Sequence, residues 1–108
     1  MKPNKIGSML GLAARGRNLV SGEFATENAV KSGKAFLVII TEDASDNTVK
    51  KFTNMCDFYE VPMVRFTDKE AMGHYIGKEM RVSVAVTNEG IADTILHYLE
   101  EEKIDTEE

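Results

Sequence analysis

A chain of 108 residues, 43% apolar and 29% charged, has the composition of one soluble globular domain that buries about two-thirds of its unfolded surface. A formal charge of −5 argues against indiscriminate nucleic-acid affinity, no apolar run approaches the about 18 residues of a membrane span, and one cysteine rules out an internal disulfide while agreeing with a reducing compartment. The charge is uneven: residues 1–81 hold twelve Lys and Arg against ten Asp and Glu, whereas residues 82–108 hold only Lys103 against eight acids. Six basic residues face two acidic ones in the first 41, so a locally basic face on an acidic chain is expected, with few phosphate contacts and a shallow salt dependence.

The N-terminus, MKPNKIGSMLGLAARGR, imitates a secretory signal, but its apolar part is short and continues into Arg15 and Arg17, which reads as a mature cytoplasmic chain. Ile6, Met9, Leu10 and Ala13 recur at helical spacing over residues 4–15, with Gly7 and Gly11 one turn apart where a neighbour packs closely. Leu19 and Val20 fit a very short edge strand, and Ser21 is the expected N-cap of a helix over 22–32, with Glu23 at its positive end. That helix has two unlike faces. Ala25, Thr26, Ala29 and Val30 cluster on one side, while Phe24, Glu27, Asn28 and Lys31 fall on the other, which puts a large aromatic on the solvent face. Either Phe24 packs on the preceding turn or the first helix, or it belongs to a binding face with Asn28 and Lys31, beside Arg15, Arg17 and a helix N-terminus able to take a phosphate.

After the turn at Gly33, residues 36–40 form an apolar run without polar alternation, the mark of a central strand covered on both faces in a three-layer α/β arrangement. Ser45 or Asp46 caps a helix over 47–59 that carries Val49, Phe52, Cys56 and Tyr59 on one stripe. A strand over 61–66 with Pro62 at its start, a short helix over 68–75, an irregular loop from His74 to Arg81 and a last strand over 82–86 follow. Asn88-Glu89-Gly90 then turns the chain into a helix over 91–102, with Ile91, Ile95, Leu96 and Leu99 inward; 103–108 is an acidic tail expected to fray, leaving a single domain over 1–102.

Chemistry-bearing residues are sparse. His74 and His97 have no Cys or second His nearby for a metal, Cys56 sits on an apolar stripe, and helix capping accounts for Glu42 and Asp43 at the end of the central strand. No glycine-rich phosphate loop occurs, so no catalysis, metal or cofactor is expected; a deep pocket holding Glu42 or His74 would revive an enzyme reading.

Gly22, the Ser32-Gly33-Lys34-Ala35 turn, the Leu37-Val38-Ile39-Ile40 strand, Glu42-Asp43-Ala44-Ser45, Val61-Pro62, Met72-Gly73, Ile76-Gly77-Lys78-Glu79 and Asn88-Glu89-Gly90 follow one another in order. In these marks the chain resembles the kink-turn RNA-binding ribosomal protein family, the L-seven-Ae and L-thirty-e group, and is most similar to its short bacterial members, over roughly residues 5–99. The resemblance implies a three-layer α/β/α sandwich over a mixed sheet of about four strands. It also implies non-catalytic recognition of a sharply bent RNA helix–internal loop–helix in a translation, ribosome or ribonucleoprotein context. By position, Gly22 matches the family glycine, Glu23, Phe24, Ala25 and Asn28 fall in the stretch that enters the groove beside tandem sheared G·A pairs, and the loop containing Ile76, Lys78, Met80 and Arg81 meets an extruded base.

Strong binders carry asparagine, glutamate and, one turn later, lysine where this chain has Phe24, Ala25 and Asn28. At about 1–3 kcal/mol per good bidentate base contact the difference is large, unless Phe24 stacks on a base, worth about 1–3 kcal/mol, and Asn28 hydrogen-bonds. Arg15, Arg17, Lys31, Lys34, Lys78 and Arg81 are then the expected phosphate contacts. The competing expectation is a protein-interaction module, in which Phe24 and Met80 form an apolar patch for a partner or a second copy; only the RNA contact weakens with salt.

Overall fold

Leu37, Val38, Ile39 and Ile40 are all fully buried, as a strand without polar alternation requires when helices cover each of its faces. The structure, a computed structural model, describes residues 4–107, with side chains described as far as Glu102. Its elements are α1 (Lys5–Arg15), β1 (Leu19–Ser21), α2 (Glu23–Lys31), β2 (Leu37–Ile40), α3 (Asp46–Tyr59), β3 (Met63–Arg65), α4 (Lys69–Ile76), β4 (Ser83–Val86) and α5 (Glu89–Glu107). The strands form one mixed sheet in the order β1-β4-β2-β3, with β4 antiparallel to both its neighbours and β2 parallel to β3. The run at 37–40 is therefore an interior strand, and Leu19–Ser21 is the short edge strand expected.

Alternate residues of the sheet feed two cores. Leu37, Ile39, Val84 and Val86 pack with Ile6 and Leu10 of α1, Met72 and Ile76 of α4 and Ile95 of α5. Val38, Ile40 and Ala85 pack on the other face with Ala29 and Val30 of α2 and Phe52 and Cys56 of α3. This is the three-layer α/β/α sandwich, five helices on a four-stranded sheet. Phe52 is fully buried, and its truncation to alanine removes about 3–5 kcal/mol.

Local chemistry sets the helix limits. The side chains of Asn4, Ser45 and Asp68 accept the N–H of Gly7, Thr48 and Ala71, capping α1, α3 and α4. Gly7 and Gly11 mark close packing, as expected: a Cβ at Gly7 would stand 2.4 Å from Cε1 of Tyr75, so α4 lies directly on α1. The last helix starts at Glu89, where Asn88 accepts the Ile91 N–H, and runs on to Glu107; the side chains of the acidic 103–108 segment lie outside the described residues.

One expectation is corrected. Ser21 does not cap α2; it is the last residue of β1, and the N-cap is Gly22, at φ 97° and ψ 157°, which has no side chain to offer. The backbone there adopts a conformation open to glycine and strained for other residues.

Candidate nucleic-acid interface

The antiparallel pairing of β1 with β4 places Ser21 opposite Val84, and the Gly22 N–H donates to the Ser83 carbonyl at 2.9 Å. The end of β1 therefore meets the start of β4, and the loop over 77–82 lies beside the N-terminus of α2. Because Gly22 makes no side-chain cap, the first N–H groups of α2 are left for solvent or a ligand, at the positive end of the helix dipole.

The loop is held in place by backbone packing. Gly73 of α4 lies against it so closely that a Cβ would overlap the Glu79 carbonyl oxygen, and the Lys78 N–H donates to the Gly73 carbonyl at 2.8 Å. Gly77 ends α4 at φ 73°, which turns the chain sharply into the loop. Arg81 is then fixed from two sides: its Nε donates to the Ser21 hydroxyl at 3.2 Å and its guanidinium to the Met80 carbonyl at 2.9 Å. Its backbone N–H reaches the Lys69 carbonyl.

A groove of about 640 Å³ opens here, with Gly22, Glu23, Met80 and Arg81 on one side and Asp43, Ser45, Thr48 and Lys69 on the other. The second wall is also fixed, since Arg65 donates to the Thr41 and Glu42 carbonyls, the Glu42 N–H to the Thr67 carbonyl, and the Lys69 N–H to the Asp43 carboxylate. The neighbouring Thr41 side chain and the Lys69 N–H hold the Asp43 carboxyl below its usual range, and Glu23 adds a second carboxylate to the lining. A second hollow of about 420 Å³ shares Ser21 with the first and gathers Arg15, Arg17 and Lys78. Arg17 stands at φ 61°, in the left-handed region. A third hollow contains Asn28 and Lys34.

A model of the ribosomal protein L7Ae/L30e/S12e/Gadd45 family matches residues 4–96. The chain belongs to that family. It is 45% identical over 92 residues to the RNA-binding protein YlxQ of Bacillus subtilis, covering 85% of this chain and 92% of that protein. It is 35% identical over 81 residues to YlxQ of Enterococcus faecium, covering 75% and 79%. Among solved structures, a Bacillus halodurans protein described as of unknown function superposes at TM-score 0.88 with 35% identity, covering 91% of this chain and 99% of that one. The Giardia lamblia 15.5kD RNA binding protein superposes at 0.77 with 21% identity, covering 94% and 92%, a likeness of fold.

On this L7Ae-family scaffold the residues singled out from sequence are dispersed over the three hollows and α2. Arg15, Arg17 and Lys78 share one hollow, Gly22, Glu23, Met80 and Arg81 another, and Asn28 and Lys34 the third. Phe24 is 78% exposed and Met80 54%, which rules out packing of Phe24 on the preceding turn or on α1. Ile76 lines the hollow of Arg15, Arg17 and Lys78, but at 7% exposure most of its side chain packs in the core shared by α1, α4 and the sheet, because the helix continues through it before Gly77 turns the chain. Lys31 is not a free cation either, since it pairs with Glu27 at 3.4 Å.

Sequence reasoning missed Lys51, on α3, whose Nζ lies 2.7 Å from Glu27 and 3.2 Å from Glu23. The hydrogen bond from Lys51 lowers the pKa of Glu27, and those to Glu27 and Glu23 raise that of Lys51. Nothing in the local pattern signals this partner, because only the packing of α3 beside α2 creates it. Ser45, Thr48 and Lys69 were missed too, although the position of Asp43 after a central strand carries the general signal that ligands favour strand ends.

Cys56 is buried, and desolvation, then the Asp57 charge, pushes its thiol up to about 11, which suits a core residue and not a nucleophile. Glu42 and His74 are exposed, and neither is among the residues lining the larger groove. Among the described residues no three His, Cys, Asp or Glu are grouped to hold a metal, and no helix is long and apolar enough to cross a membrane.

Proposed function

We propose that this chain is a non-catalytic RNA-binding protein of the translation or ribosomal machinery, acting in the cytoplasm and recognising a kink-turn-like fold through the face built by α2, the 77–82 loop and the end of α1. The observation that carries the reading is the β1–β4 register, which sets the uncapped N-terminus of α2 beside a loop bearing Lys78 and Arg81. Family membership and the likeness to the RNA-binding YlxQ proteins support RNA as the ligand.

Each part of the face has a distinct task. The α2 N–H groups and the cations Arg15, Arg17, Lys78 and Arg81 hold phosphates and fix register. Phe24, exposed and one turn from Asn28, stacks on a base, while Asn28 supplies a base-edge hydrogen bond in place of the asparagine–glutamate–lysine set of strong kink-turn binders. The larger groove, with Met80 as its apolar lip and Asp43 and Arg81 as acceptor and donor, has room for one extruded base.

The test compares a minimal kink-turn RNA with the same duplex in which Watson–Crick pairs replace the tandem G·A pairs, by fluorescence anisotropy at two salt concentrations. Tight binding to the first alone is expected. Equal, weak and salt-labile binding to both would reduce the reading to generic RNA contact. Salt-indifferent binding of a protein partner through Phe24 and Met80, with no RNA bound, would replace it by the protein-interaction reading that their exposure favours.

A further inference from the structure

The far end of α3 carries the other large exposed apolar surface. Phe58 is 79% exposed and Tyr59 41%, and their rings meet edge to face at 4.9 Å. Phe36, 39% exposed, leads into β2 at the same end of the sheet, where the parallel register sets it beside Val61. Three of the chain's eight aromatic residues are thus exposed at this end of the sheet, away from the larger groove. The N-terminus of α3, at Ser45 and Thr48, lines the larger groove, and the rise of the helix from there to Phe58 is about 15–20 Å.

The charge around these rings identifies the occupant. Asp57 and Glu60 bracket the aromatic pair in sequence, and among the described residues neither has an ion-pair partner. They stand at the negative end of a helix dipole, where cations are favoured and acids are not. The last turns of α1, α2 and α4 carry Arg15, Lys31 and His74, but α3 has no basic residue there. A ligand cation would meet two carboxylates and two exposed aromatic rings at the negative end of the helix. A phosphate would meet repulsion from the same groups, and a second copy docked by two-fold symmetry would oppose like charges.

We infer that Phe36, Phe58 and Tyr59, rimmed by Asp57 and Glu60, form a docking surface for a lysine- or arginine-rich segment of a partner protein. It lies at the far end of α3 from the larger groove, so a ligand seated in that groove leaves it uncovered. The inference does not depend on the RNA reading.

The probe is a pair of synthetic peptides of equal length and leucine content, one carrying lysine and arginine, the other glutamate at the same positions. They are titrated into the isotope-labelled full chain with amide resonances as the readout. The basic peptide is expected to shift residues 57–60 and 36, and the acidic one not. Phe58→Ala, and separately Asp57→Asn with Glu60→Gln, should weaken binding at least about tenfold. Glu100→Asn with Glu101→Gln, an acidic pair on α5, should leave it unchanged.

Absence of binding, shifts spread over all acidic surfaces, or a loss that follows the α5 pair instead would overturn the assignment. So would self-association of the chain alone that Phe58→Ala abolishes, which would give the surface to a second copy. The substituted residues are exposed except Glu101, which is half-buried and pairs with Lys5 and His97, and a thermal melt of each variant confirms that the fold is intact.

Discussion

Two helices of this protein end in the same unusual way and with opposite charge. After α1 the chain passes through Arg17 at φ 61°, and α3 ends at Glu60 at φ 57°; both are left-handed conformations that glycine adopts at lower cost. Arg17 stands with Arg15 and Lys78 near the exposed Phe24 helix, and Glu60 stands with Asp57 around the exposed Phe58. Each pole therefore combines a charged residue in a strained conformation with an aromatic that the core does not use. Such features persist where something other than stability selects them. The net charge of −5 reports neither cluster, because the excess of acids lies in residues 82–108, outside both.

The largest effect should come from breaking one pole at its foundation. Gly73→Ala forces a methyl into the Glu79 carbonyl, backbone against backbone, which cannot be relieved by a rotamer change. Destabilisation at or above the upper end of about 1–3 kcal/mol is expected in urea unfolding, with loss of RNA binding. If the variant remains folded, binding of the basic peptide at the α3 end should survive, because the loop does not reach that far.

Phe24→Ala is expected to leave the melting temperature within a degree or two and to remove about 1–3 kcal/mol of RNA affinity, the worth of one stacked base. The side chain is exposed, so no core packing is lost. Phe58→Ala should do the converse, weakening the basic peptide and leaving RNA titrations unchanged. A variant that weakened both would break the two-pole description.

The left-handed residues sharpen it further. Arg17→Gly and Glu60→Gly each relieve about 1–2 kcal/mol of backbone strain, offset by about 0.5–1 kcal/mol from the greater freedom of glycine in the unfolded chain. A small net gain, below about 1 kcal/mol, is expected in both melts. Arg17→Gly should weaken RNA and reduce the salt slope of its binding, whereas Glu60→Gly should weaken only the basic peptide.

The layers, the central strand and the helix of the candidate interface were legible because each rests on a local signal: the unalternated run at 36–40, the two-faced pattern of 22–32, the cap at Ser45 and the turn at Asn88-Glu89-Gly90. What was not legible depends on distance in sequence. Ser21 reads as a cap in a local window, yet β4, more than sixty residues on, takes it into a strand and gives it Arg81 as a partner. Ile76 looked like a loop residue because Gly77 follows it, but one more residue of helix turns it into the core. Phe24 could have gone either way, since helical phase fixes which side a residue faces and not what neighbour awaits it. Tyr59 reads as part of the apolar stripe of its helix, yet it is 41% exposed, and Phe58, off that stripe, is 79% exposed.

Lys51 supplies the smallest effect and the finest test of how the cationic pole works. Glu23 and Glu27 lie on the same helix as Phe24, and their charge would repel a phosphate if left uncompensated. Lys51 bridges both, and its hydrogen bond is the main cause of the lowered pKa of Glu27, with the charges of Lys31 and Lys51 adding to it. A carboxylate with a depressed folded-state value stabilises the fold above its unfolded value and loses that contribution as the pH falls through the folded one. The contribution is therefore complete above about pH 4.5 and is lost on further acidification. Lys51→Met should return the Glu27 midpoint part of the way toward 4.5 in a carboxyl-resolved titration, since Lys31 remains, and should change stability at neutral pH little because the pair is solvent-screened. RNA affinity should fall by a small factor that Glu27→Gln restores in the double variant. A loss not restored would mean that Lys51 touches RNA itself, which would widen the cationic pole onto α3.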